Sequence, residues 1–257
     1  MMSSAHPIPI FQDNYVWCWP APDSHTAWVV DPGDAAPVLA HLKAHGWTLG
    51  GILVTHWHPD HIGGIPDLLA AMPCPVIGPA AEAARIPTLS QKVGGGEVLD
   101  LPIGRAQVFD VPGHTLGHIA FLIDDWLFCG DTLFCGGCGR LFEGTPEQML
   151  ASLNRLAELP PTTHVACTHE YTLSNLRFAA AVEPDNADLQ AFRVDAEALR
   201  AQGKPTLPST LARERALNPF LRANQPTVRA AASARAGKAL PSEAQVFAEI
   251  RAWKDHF

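Results

Sequence analysis

Nowhere does this 257-residue chain carry eighteen consecutive apolar residues, so no helix is expected to span a membrane. Its first residues, Met1-Met2-Ser3-Ser4-Ala5-His6-Pro7, lack the basic and apolar regions of an export signal, and the expected compartment is the cytoplasm. Positive charge is scarce: 18 Lys and Arg against 26 Asp and Glu give a formal charge of −8. That balance argues against a nucleic-acid or membrane-surface partner and leaves small anions as candidates for a local basic pocket. Cysteine is sparse and irregular, with Cys18, Cys74, Cys129, Cys135, Cys138 and Cys167 expected as reduced thiols. Cys135 and Cys138 form one C-x-x-C, but no second pair exists and glycines fill the gap. A redox or zinc role for that pair is accordingly disfavoured.

Against these absences stand 12 histidines and a hydrophobic content of 47%, enough for a folded core. Residues 56 to 61 read His-Trp-His-Pro-Asp-His, directly after the apolar run Ile52-Leu53-Val54. Three imidazoles and a carboxylate within six residues call for a metal, with exposed surface histidines as the weaker reading. If the segment is extended, alternate side chains share a side, so His56 and His58 can meet one ion while Asp60 and His61 face a second.

The first two thirds alternate short apolar runs with helical patterns, which is α/β punctuation. Runs occur at 26–30, 52–55, 98–101, 106–111, 119–123, 126–129 and 164–167, with a helix expected over 35–45. Thr145, Pro146 and Gln148 form a capping box that opens another helix. After Tyr171 strand signals cease, and helices are expected over 173–182, 187–202 and 243–256. The chain thus divides into 1–172 and a helical 173–257.

Three further candidate ligands each follow an apolar run: His114, Asp131 and His169. Loops at strand ends are where sheet enzymes gather a site from distant sequence. Seven groups suit two ions sharing a carboxylate: His56, His58 and His114 for one, Asp60, His61 and His169 for the other, Asp131 between them. His41 and His45 read as surface groups on a helix, and His118 as packed or capping rather than ligating. In the tail, Ser242 and Gln245 form a second capping box, and Val246, Phe247, Ile250, Trp253 and Phe257 form one apolar stripe. Lys254 falls within that stripe and Arg251 beside it, which is unusual for solvated charges.

The ligand pattern over residues 8 to 172 resembles the metallo-β-lactamase superfamily, which implies an αββα sandwich with a metal site at one sheet edge. Residues 137–145, Thr168-His169-Glu170-Tyr171-Thr172, Asn218-Pro219-Phe220-Leu221-Arg222 and the tail 251–257 are similar to the glyoxalase II, or hydroxyacylglutathione hydrolase, family. The likeness implies an α/β sandwich with a C-terminal helical domain that binds substrate. It implies glutathione contacts at Arg140, Phe142, Tyr171, Arg251 and Lys254. The eukaryotic form of the pattern has lysine and tyrosine where this chain has Arg140 and Phe142. Arginine keeps the charge, whereas phenylalanine loses a hydroxyl.

The reaction implied is hydrolysis of S-D-lactoylglutathione and related acylglutathiones, the second step of methylglyoxal detoxification, by a monomer. Two divalent ions are implied, zinc foremost and iron or manganese next, with catalysis assigned to Asp60 and Asp131 around a metal-bridging hydroxide. A one-iron persulfide dioxygenase, a nuclease and a non-catalytic metal-binding scaffold are the alternatives. The helical tail, the negative charge and the full set of seven ligands respectively weigh against them.

Overall fold

A computed structural model describes residues 4–22 and 25–257. The N-terminal reading begins on residues 1–3, outside the described range. Two compact units form: one runs to Asp110 and resumes over Leu116–Gly130, and the other comprises Val111–Thr115 and Asp131–Phe257.

The first unit contains a six-stranded mixed sheet in sequence order: β1 His6–Ile10, β2 Asn14–Pro20, β3 Thr26–Val30, β4 Thr48–Leu53, β5 Val76–Pro79 and β6 Gln91–Val93. The strands β1 to β3 are antiparallel and β3 to β6 parallel. Helices α1 Ala35–His45, α2 Pro59–Ile62 and α3 Ile65–Ala71 fall between them in the chain. Val38 and Leu42 of α1 and Leu68 of α3 share one buried cluster with Val16, Val29 and Ile52, so these helices cover one face of the sheet. Four antiparallel strands follow: β7 Val98–Leu101, β8 Gly104–Asp110, β9 Ile119–Ile123 and β10 Trp126–Gly130. Trp17 and Trp19 of β2 meet Trp126 and Phe128 of β10 edge-on or tilted, at 5.7–6.5 Å. Those rings close the layer between two sheets, and β2 and β10 are accordingly buried along nearly their whole length.

The second unit is mostly helical. Its short strands are β11 Leu133–Phe134, β12 Gly137–Cys138, β13 His164–Cys167 and β14 Ser209–Thr210. Its helices are α4 Pro146–Ala157, α5 Thr172–Val182, α6 Ala187–Ala201, α7 Leu211–Leu217, α8 Pro226–Ala236 and α9 Glu243–Asp255. Both expected capping boxes form, at Thr145 and at Ser242.

Three expectations need correction. Helices α7 and α8 lie beyond the three expected after Tyr171, and the strand pairing resumes where β14 joins β13. Extended structure ends at Leu53, not Thr55. Pro59–Ile62 is a helical turn with proline at its start, so Asp60 and His61 sit on a helix instead of an alternating strand. No described helix is long and apolar enough to cross a membrane, and all six cysteines are free thiols.

Candidate metal centre and adjoining cavity

The turn after β4 carries His56 and His58, and α2 carries Asp60 and His61. His56 and His61 are buried, with rings 4.0 Å apart. A hydrogen-bond chain fixes their tautomers. Asp31, at the end of β3, accepts from the Thr55 amide at 2.8 Å and from the Thr55 hydroxyl at 2.7 Å. Its Oδ2 also accepts from His61 Nδ1–H at 3.0 Å. With the Thr55 proton committed to Asp31, Thr55 Oγ1 accepts from His56 Nδ1–H at 3.0 Å. Both rings therefore keep the Nε2 lone pair for a cation, the usual arrangement for an imidazole ligand backed by a carboxylate.

His56 Nε2 lies 3.1 Å from His58 Nδ1, and His61 Nε2 lies 3.6 Å from Asp60 Oδ2. Asn14 donates to that same Asp60 oxygen at 3.0 Å. Asp31, His56 and His61 bring donor atoms within 4.8 Å of one another. Asp31 already accepts three hydrogen bonds, one from His61 and two from the Thr55 that holds His56, a pattern that suits a group orienting the histidines. Glu82, buried on the turn after β5, holds the Trp57 amide at 2.7 Å and the Gly117 amide at 3.2 Å. His118 is buried and stacked on His56 at 4.5 Å, the packing role expected for it, with Nδ1–H donating to the Ile119 carbonyl at 3.0 Å.

In the second unit, His114 donates from Nδ1 to the Arg140 carbonyl at 2.8 Å, so its Nε2 is likewise unprotonated. His114 Nε2 and His169 Nε2 each stand 3.4 Å from Asp131 Oδ2. Hydrogen-bonded N–H···O⁻ pairs close to about 2.8 Å, whereas two ligands each about 2.1 Å from one tetrahedral ion stand about 3.4 Å apart. The donor chemistry and spacing in both units therefore fit metal ligands. All seven predicted ligands occur in these two groups, four in the first unit and three in the second.

A cavity of about 400 Å³ in the second unit is lined by His114 and Asp131 together with Arg140, Phe142, Tyr171, Arg251 and Lys254. Every predicted glutathione contact thus shares walls with two predicted ligands. Tyr171 stacks on His169 at 4.6 Å and 6°, and Phe142, 61% exposed, meets His114 edge-on at 5.2 Å. Arg251 is 6% exposed and donates from Nη1 to the Cys138 carbonyl at 2.8 Å and from Nη2 to Asp255 at 3.1 Å. Among the described residues its Nε has no hydrogen-bond partner. Arg140 reaches the same Asp255 oxygen at 3.3 Å. Lys254 is half-buried against the Phe178 ring. Burial first, then the charges of Arg251 and Arg177, pushes its pKa below that of an ordinary lysine.

Asp31, Thr55, Asn14 and Glu82 escaped the sequence reading. Asp31 had the same signal as Asp131, a carboxylate directly after an apolar run, but its Asp-Pro-Gly context reads as turn punctuation. Glu82 and Asn14 lie in segments with no local pattern.

Residues 16–169 match the model of the metallo-β-lactamase superfamily, and residues 170–257 match the model of the hydroxyacylglutathione hydrolase C-terminus. A hydroxyacylglutathione hydrolase of Cupriavidus taiwanensis is 54% identical, with the whole of both chains covered. Among solved structures, the BLEG-1 B3 metallo-β-lactamase has a TM-score of 0.63 at 25% identity, over 86% of this chain and 99% of that one. The protein TTHA1623, solved in a di-iron-bound form, has a TM-score of 0.55 at 31% identity, over 65% of this chain and 91% of its own. Identity of this extent along the entire length, with the two models meeting at residues 169 and 170, means that the chain belongs to the hydroxyacylglutathione hydrolase family of the metallo-β-lactamase superfamily.

Proposed function

We propose that this protein hydrolyses S-D-lactoylglutathione and related acylglutathione thioesters to the hydroxy acid and glutathione, completing methylglyoxal detoxification. The supporting observation is the cavity in which His114 and Asp131 share walls with Arg140, Arg251 and Lys254. In this reading residues 1–172 carry the hydrolytic apparatus and 173–257 contribute the helices that hold substrate. The protein acts as a cytoplasmic monomer without nucleic-acid or membrane partners.

His56, His58 and His114 would hold one divalent cation, Asp60, His61 and His169 a second, and Asp131 would serve both. Zinc is the leading metal, and iron and manganese suit the same donors. The di-iron form of TTHA1623 supports a pair of ions and keeps iron among the candidates. When bound, the cations would supply hydroxide near neutral pH, since metal contact lowers the pKa of water to about 7.

The chain's own groups supply aim and recognition. Asp31 and Thr55 hold the rings of His61 and His56 from behind, and the Arg140 carbonyl does the same for His114. Asp60, steadied by Asn14, would serve primarily as a ligand and secondarily to orient the attacking hydroxide. Arg140, Arg251 and Lys254 offer cations to the two glutathione carboxylates, and Tyr171 and Phe142 frame the thioester. A glutathione thiol with a pKa near about 8.5 departs as thiolate without a dedicated acid.

The test compares the lactoyl thioester of glutathione with that of N-acetylcysteamine, which keeps the scissile bond and lacks the carboxylates. Loss of two charge-assisted contacts predicts a kcat/KM roughly 100-fold lower or more for the smaller thioester. Equal values for the two would contradict glutathione recognition.

A further inference from the structure

The Cys135-Gly136-Gly137-Cys138 motif lies in the hairpin of β11 and β12, which pairs Leu133 with Cys138 and Phe134 with Gly137. The two arms of this hairpin lead directly to site residues. Asp131 precedes it, and Arg140, whose carbonyl holds the His114 ring, follows it. Two strands of two residues each cannot set such a position alone.

Side chains from elsewhere in the unit hold the hairpin backbone group by group. Asn218 Nδ2 donates to the Phe134 carbonyl at 3.2 Å and the Gly137 carbonyl at 2.9 Å. Asn175 of α5 donates to the Cys135 carbonyl at 3.0 Å. Glu214 of α7 accepts from the Gly136 amide at 2.8 Å, and Arg251 of α9 donates to the Cys138 carbonyl. Glu214 is fully buried, and its carboxylate is further ringed by the Ser209 hydroxyl and by Asn218 at 3.0 Å. Asn218 is fully buried too, and its Oδ1 accepts from the Phe220 amide at 3.1 Å, which caps the following turn. The glycines permit this proximity. A Cβ on Gly137 would stand 2.6 Å from Asn175 Cγ, and Gly136 has φ +68°.

We propose that Asn218 and Glu214 are positioning residues for the hydrolytic centre: by fixing the 134–138 hairpin they place the Arg140 carbonyl that orients His114. The C-x-x-C is then a glycine hinge packed for close approach, and its thiols are spectators. Like every ligand assignment above, this inference rests on the proposed metal centre, but its test is separable from the activity.

The experiment measures metal affinity of full-length protein by competition with a chromophoric chelator. Asn218→Ser keeps the cap to Phe220 and cannot span the two hairpin carbonyls. Leu189→Ala, a buried truncation on α6 outside the network, serves as the stability comparator. Expected is a loss of metal affinity of roughly 10- to 100-fold for Asn218→Ser, the range typical of groups that orient a ligand from behind. Leu189→Ala is expected to retain wild-type affinity at an equal or larger fall in Tm. Should Asn218→Ser fail to fold, Asn175→Ala releases the Cys135 carbonyl alone and is expected to shift affinity in the same direction. Affinity that follows Tm alike in the network variants and Leu189→Ala would overturn the proposal. Weakened metal binding in a protein whose wild type leaves acylglutathiones intact would sustain the positioning role and refute the substrate reading.

Discussion

A proton on Nδ1 of His61 leaves Nε2 as an electron-pair donor, and Asp31 is what holds that proton in place. Asp31→Asn should therefore cost more than its size suggests. Asparagine tolerates the φ of +54° at this position but offers one acceptor in place of two for the Thr55 and His61 donors. Metal affinity is expected to fall roughly 10- to 100-fold, read by chelator competition, and wild-type affinity would show that Asp31 does not orient the ligands. A steric prediction concerns Gly139, where a Cβ would come within 1.9 Å of the Asp131 carbonyl oxygen and 3.2 Å of His114 Nδ1. Gly139→Ala must push Asp131 and His114 apart, so turnover should fall at least about 10-fold; near-normal kcat would mean that the loop relaxes without disturbing either ligand. For Lys254 the sign follows from its lowered pKa. The ammonium is the carboxylate-binding form, and it is lost at a lower pH than in an ordinary lysine. KM for acylglutathiones should thus rise on the alkaline side, and Lys254→Ala should remove that rise while raising KM at neutral pH roughly 10-fold with kcat nearly unchanged. A pH-independent KM in the wild type would contradict a role for this ammonium. At this scale the ligand types were legible because six residues concentrate four donors. The orienting groups were not, since Asn14 and Glu82 act through partners 25 to 46 residues away and Thr55 can hold the neighbouring His56 only because its own proton goes to Asp31, 24 residues away.

At the scale of elements, the helix that carries Arg251 and Lys254 owes its start to Ser242, whose side chain accepts from the Gln245 amide while Gln245 reaches back to the Ser242 amide. Ser242→Ala should lower unfolding free energy by about 1 kcal/mol in chemical denaturation, and no change would mean that the box contributes nothing. Capping boxes and apolar runs are local, so α4, α9 and the strands β3, β7, β9 and β13 could be read directly from sequence. Helices α7 and α8 could not. Their residues, Leu-Ala-Arg-Glu-Arg-Ala-Leu and Pro-Thr-Val-Arg-Ala-Ala-Ala-Ser-Ala-Arg-Ala, have too narrow an apolar face for a 3.6-residue period to stand out. Their packing partners in the second unit decide the matter, and the buried Glu214 of α7 is bonded to the Gly136 amide of the hairpin, nearly eighty residues away. The strand at Ser209–Thr210 is likewise created by its pairing with β13 and not by β propensity.

For the molecule as a whole, an acidic chain presents a small cationic cavity whose walls also include the proposed ligands His114 and Asp131. Net charge argued against broad polyanionic partners, and the folded second unit, by bringing residues 114 to 254 around one cavity, supplies the positive charge that an anionic thioester requires. The proposed activity is two-metal hydrolysis of acylglutathiones. Its most direct test is steady-state hydrolysis of S-D-lactoylglutathione, followed at the thioester absorbance, on a preparation whose metal content is measured and then stripped by chelation. Turnover with about two divalent ions per chain, lost on stripping and restored on readdition, is the expected result. A metal-replete preparation that leaves this thioester intact, or one that hydrolyses it undiminished after its metals are removed, would contradict it.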